Sequence, residues 1–95
     1  MRHPKSILIT GASSGIGEAL ARHYAAPLVT LFLAGRNSER LSDVAAVCAE
    51  AGASVSMIVL DVTDPAGMSN WISQSDRQVP LDIIIANAGI SGGTS

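Results

Sequence analysis

Cysteine and aromatic rings are nearly absent from this sequence, with one thiol and 3% aromatic residues in 95 positions. A lone Cys48 excludes an internal disulfide and a multi-thiol metal cluster, and a reducing compartment suits that count. Charge is also sparse: charged residues make up 15% of the chain and net to -2, which supplies no basic field for nucleic acid. No apolar run approaches the ~18 residues of a membrane span. The run after the early cations of MRHPKSILITG is too short for a signal-peptide core. A soluble, cytoplasmic protein is expected, with no nucleic-acid and no membrane partner. His3 and His23 have no Cys, Asp or His at ligand spacing, so no metal site is expected either.

The 47% of the chain that is hydrophobic comes mainly from Ala, Ile, Leu and Val, residues suited to helices stacked closely on a parallel sheet. Four short apolar runs occupy 6–10, 28–34, 54–60 and 81–86. Each is nearly continuous rather than alternating, the mark of strands covered on both faces. Helical patterns lie between them. Ile16, Leu20 and His23 or Tyr24 fall on one face of a first helix that Pro27 should end. Leu41, Val44, Ala45 and Cys48 form the stripe of a second, with Asn37 or Ser38 as N-cap and Gly52 as its stop. Asp64 and Pro65 open a third, with Met68, Trp71 and Ile72 facing inward.

Right-handed crossovers then predict an α/β fold: a Rossmann-like parallel sheet of strand order 3-2-1-4 with helices on both faces. Residues 1–90 form one half-domain in this reading. Residues 91–95, rich in Gly and Ser, read as a flexible tail.

Directly after the first strand comes Thr10-Gly11-Ala12-Ser13-Ser14-Gly15-Ile16-Gly17, which also opens the first helix. A helix N-terminus presents free N–H groups and a positive dipole end, so a diphosphate docks there if the backbone can come close. Gly11 permits the tight turn, Gly15 clears the phosphate path, and Gly17 lets the helix pack. Ser13 and Ser14 add hydroxyl donors. The loop has no Gly-Lys-Ser/Thr ending, which disfavours a Walker-type triphosphate site.

The spacing TGxxxGxG resembles that of the short-chain dehydrogenase/reductase family. Further similarities follow in order along essentially the whole chain: Ala34-Gly35-Arg36, Asp61-Val62-Thr63-Asp64, Pro80-Leu81-Asp82-Ile83 and Asn87-Ala88-Gly89. The resemblance implies a nicotinamide dinucleotide cofactor and hydride transfer to or from a carbonyl or alcohol. It also implies cofactor contact at Ile16, Asp61 and Val62, with the adenine amino group as the partner of Asp61. Asn87 would steady the central strands, and Ala88 and Gly89 would let the cofactor lie against bare backbone. A plain turn could use the same three residues.

Where an NAD enzyme carries an acid for the ribose 2′-hydroxyl, this chain has Gly35 followed by Arg36. A guanidinium there, without an acid to repel phosphate, favours NADP over NAD. The family's Tyr-x-x-x-Lys motif is missing in every register, since the only tyrosine is Tyr24 and the only lysine Lys5. The expectation is therefore the truncated, N-terminal cofactor-binding half of a reductase, with no catalytic residues and no turnover of its own. A standalone dinucleotide-binding or sensor module is the alternative. The run LDIIIA, from Leu81 to Ala86, has one charge and no proline, and is expected to self-associate as an exposed sheet edge.

Overall fold

The computed structural model describes residues 4–13, 15–60 and 64–86. Seven elements alternate: β1 (Ser6–Thr10), α1 (Gly15–Tyr24), β2 (Thr30–Gly35), α2 (Ser38–Glu50), β3 (Ser54–Val59), α3 (Pro65–Gln78) and β4 (Ile83–Ala86). The strands form one parallel sheet in the order β3-β2-β1-β4, as expected from the crossovers. The expected tail at 91–95 lies outside the described residues.

Side-chain alternation along the strands divides the core in two. Ile7, Ile9, Leu31 and Leu33 point to one face, where Ala21 of α1 and Leu41, Val44 and Cys48 of α2 are buried against them. Leu8, Phe32 and Ala34 point to the other face and meet Trp71 of α3, with Met68 and Ile72 packed beside it. Helices therefore cover both faces, two on one side and one on the other. Cys48 is a buried packing residue, and burial pushes its thiol above its ordinary pKa; the Arg22 charge opposes this and Glu18 adds to it.

The caps follow the local signals. Asn37 accepts the Arg40 N–H at the start of α2, and Asp64 accepts the Gly67 N–H at the start of α3, where Pro65 needs no donor partner. Past α2, Gly52 takes a left-handed φ of 103°.

Three expectations are corrected. The inner face of α1 is Gly17, Leu20, Ala21 and Tyr24, whereas Ile16 is 61% exposed and His23 faces solvent. The cause is the close seating of α1, which places its small residues against the sheet. Strand β2 begins at Thr30 rather than at Leu28, because the chain leaves α1 at Tyr24 and turns through Leu28 at a φ of 72°, and β4 begins at Ile83 rather than at Leu81, whose N–H is bonded to Asp76 of α3. Finally, cover is partial on β3 and β4: Met57, Val59 and Ile84 are each about half exposed, although Val55, Ile83 and Ile85 pack against the first core cluster and Ile58 against the second.

Candidate nucleotide-binding site

Parallel pairing brings the C-terminal ends of all four strands to one edge. Thr10 lies opposite Ala34 on one side and Ala86 on the other, and Gly35 lies opposite Val59. The order reverses at β1, so the turn leaving Thr10 emerges between strands whose connections run in opposite directions. Open α/β sheets bind ligands in that crevice.

The turn is shaped by its glycines. Gly11 has a φ of 67°, a conformation that side-chain-bearing residues rarely adopt. A Cβ on Gly17 would stand 2.0 Å from the Gly11 carbonyl oxygen and 2.9 Å from the Ala12 Cα. Helix α1 thus rests on the backbone of its own loop, a tighter contact than the helix-to-strand packing expected of this glycine. A Cβ on Gly15 would have nothing within 4 Å, so the first turn of α1 opens onto free space. Bare backbone, a helix N-terminus and room for close approach are the features by which helix N-termini bind phosphates.

The loop is fastened to β2. The Ala12 N–H donates to the Ala34 carbonyl at 2.8 Å, and Ser13 lies directly over Gly35. Ser13 is half-buried, while Gly15 and Ile16 are exposed. Glu18 puts a negative charge in the first turn of α1, where it would oppose an anion, but Arg22 at 3.5 Å and Arg40 at 3.7 Å flank it. Arg40 is therefore engaged. Arg36, exposed just past β2, makes no salt bridge among the described residues.

Of the residues expected from sequence, Gly11, Ser13, Gly15, Ile16, Gly17 and Arg36 belong to this edge. Ser14, Asp61, Val62, Asn87, Ala88 and Gly89 lie outside the described residues. Tyr24 packs in part against the core at the far end of α1, in edge contact with His23, and Trp71 is core. Two relationships were not anticipated. Gly35 lies bare beneath Ser13, and Asp82 ties β4 to β1. The motif around Asp82 marked the position without revealing its partners.

The sequence model of the family described as short chain dehydrogenase matches residues 5–95. The chain belongs to that family. Among curated short-chain dehydrogenase relatives, gluconate 5-dehydrogenase of Gluconobacter oxydans is 39% identical over 84 residues, covering 87% of this chain and 33% of that protein. A short-chain dehydrogenase/reductase structure from Mycobacterium marinum superposes with a TM-score of 0.78 at 38% identity, covering 90% of this chain and 35% of that one. L-sorbose reductase from Gluconobacter frateurii, solved in complex with NADPH and L-sorbose, superposes with a TM-score of 0.76 at 34% identity, over 90% of this chain and 33% of that one. The chain spans about a third of the length of these relatives.

Proposed function

We propose that this chain is the NADP(H)-binding portion of a short-chain dehydrogenase/reductase acting on a carbonyl/alcohol pair. The observation that carries the reading is the open first turn of α1: Gly15 leaves it bare, Gly11 and Gly17 lock the loop beneath it, and it stands at the reversal of strand order. Gly11, Ser13, Ser14, Gly15, Ile16 and Gly17 would hold the diphosphate, and Asp61 and Val62 the adenine side. Asn87, Ala88 and Gly89 would lie along the cofactor at the end of β4. When bound, the nicotinamide supplies the hydride.

Arg36 supports NADP over NAD. It follows a position where an acid would repel a 2′-phosphate and where this chain has glycine, and it is not engaged by Glu18 as Arg40 is. The complex of L-sorbose reductase with NADPH is in keeping with that preference.

The test is calorimetric titration of the chain with adenosine 2′,5′-bisphosphate and with 5′-AMP. Tighter binding of the bisphosphate is expected, and equal affinities would refute the NADP assignment. We place the protein in the cytoplasm on its acidic balance and single thiol. Among the described residues no helix is long and apolar enough to cross a membrane. We also infer that the 95-residue chain self-associates through β4, which lies at one end of the strand order with Ile84 51% exposed.

A further inference from the structure

We propose that Gly35 and Ser13 form a steric pair that sets which dinucleotide the site accepts, so that cofactor choice is encoded at two positions on different elements and not by charge at the end of β2 alone. The proposal rests on the dinucleotide-binding reading above and deepens it. A Cβ on Gly35 would meet Ser13 at three atoms: 2.6 Å from Oγ, 3.1 Å from Cβ and 3.3 Å from N. Rotating the hydroxyl relieves the first contact only, because the Ser13 Cβ and N do not move with that torsion. The loop has little room to retreat as a whole. On one side the Ala12 N–H is bonded to the Ala34 carbonyl at 2.8 Å, and on the other Gly17 lies against the Gly11 carbonyl and the Ala12 Cα.

A carboxylate at position 35 would suit the free 2′-hydroxyl of an NAD-type ribose on electrostatic grounds. Here its Cβ would first turn the Ser13 hydroxyl away and press on the Ser13 Cβ and N, which the fastened loop can relieve only by shifting. An acid introduced at Gly35 alone therefore repels the 2′-phosphate without creating a working site for the unphosphorylated ribose. Removing the Ser13 side chain deletes the two shorter contacts and leaves only the 3.3 Å approach to its backbone nitrogen.

Two measurements test the pair. Thermal unfolding without nucleotide compares the starting chain with Gly35→Ala, Ser13→Gly and both together. Gly35→Ala is expected to lower Tm by about 4–8 °C or more, and Ser13→Gly to restore most of that loss when combined with it. Calorimetric titration with adenosine 2′,5′-bisphosphate and 5′-AMP then compares Gly35→Asp with Ser13→Gly/Gly35→Asp. The single variant is expected to lose affinity for both ligands on the order of tenfold, and the double variant to regain 5′-AMP only. Additive effects in unfolding, failure of both Gly35→Ala chains to fold, or 5′-AMP binding by Gly35→Asp equal to that of the double variant would each overturn the proposal. If the starting chain binds neither nucleotide, the NADP(H) reading fails, and the unfolding cycle still decides whether the steric pair exists.

Discussion

The Asp82 carboxylate accepts the backbone N–H of Lys5 at 2.7 Å and that of Ser6 at 3.2 Å, fastening the start of β4 to the start of β1. The contact is returned by the Asp82 N–H, which is shared between the Ser6 carbonyl at 2.9 Å and the Ser6 hydroxyl at 3.0 Å. The Ser6 hydroxyl donates in turn to the Pro80 carbonyl. Among the described residues β4 has four, and this clasp adds to the ladder that pairs them with β1. Replacing Asp82 with Ala should cost about 1.5–3 kcal/mol, the range for hydrogen bonds to a charged group. Asp82→Asn, which keeps one acceptor, should cost less. Denaturant titration checks both, and a near-zero loss for Ala would mean that water replaces the carboxylate.

Gly17 and Gly15 should separate folding from binding. Gly17→Ala drives a methyl into the Gly11 carbonyl and should cost about 3 kcal/mol or more, since the opposing atoms are backbone. Gly15→Ala meets open space and should leave stability unchanged or slightly raised, because alanine favours the helix. It should nevertheless weaken nucleotide binding. Full affinity in a folded Gly15→Ala chain would place the phosphates elsewhere.

Arg36→Ala should weaken binding of adenosine 2′,5′-bisphosphate by about 1.5–3 kcal/mol and leave 5′-AMP nearly unaffected. The comparison is made by calorimetry on both ligands. A uniform loss would mean that Arg36 supports the loop and not the 2′-phosphate.

Cys48 is buried, and its thiol titrates above the ordinary range. Folding therefore favours the protonated form. That contribution is fully present below the unfolded chain's thiol pKa and is lost as pH rises through the higher folded value. Stability should fall at alkaline pH, and Cys48→Ala should flatten the fall. Iodoacetamide should modify the native chain far more slowly than the denatured one, and equal rates would contradict the burial.

Ile84→Lys should shift any self-association toward monomer while preserving the fold, because Ile84 is 51% exposed on the outermost strand. Sedimentation across a concentration series measures this. A folded parent chain that stays monomeric at high micromolar concentration would remove the edge from consideration.

Caps, the stripe of α2 and the glycine-rich turn are legible in the sequence, whereas the inner face of α1 is not, because its small residues and not Ile16 seat it on the sheet. The caps at Asn37 and Asp64, the stripe of Leu41, Val44 and Cys48, and the glycines of the turn after β1 all act within a few residues of one another. What sequence concealed falls into two kinds. A left-handed Leu28 carries no compositional mark, so the start of β2 was displaced by two residues. Cover depends on what else packs nearby, so β3 and β4 read as apolar whether or not a helix shields them. The Gly35 and Ser13 contact and the Asp82 clasp join positions far apart in the chain, and only assembly reveals them.

The strand order also bears on the course of folding. Ser6 of β1 pairs with Thr30 across a single helix, whereas Ile7 finds Ile83 only after two further helices and a strand have been made. Closing the longer loop costs more chain entropy, so the pairing of β1 with β4 is expected to form after that of β1 with β2. As the chain emerges from the ribosome, the glycine-rich loop can form on β1 and β2 before β4 has been made. On that expectation the sheet edge that carries the glycine-rich loop is completed last, when β4 joins β1.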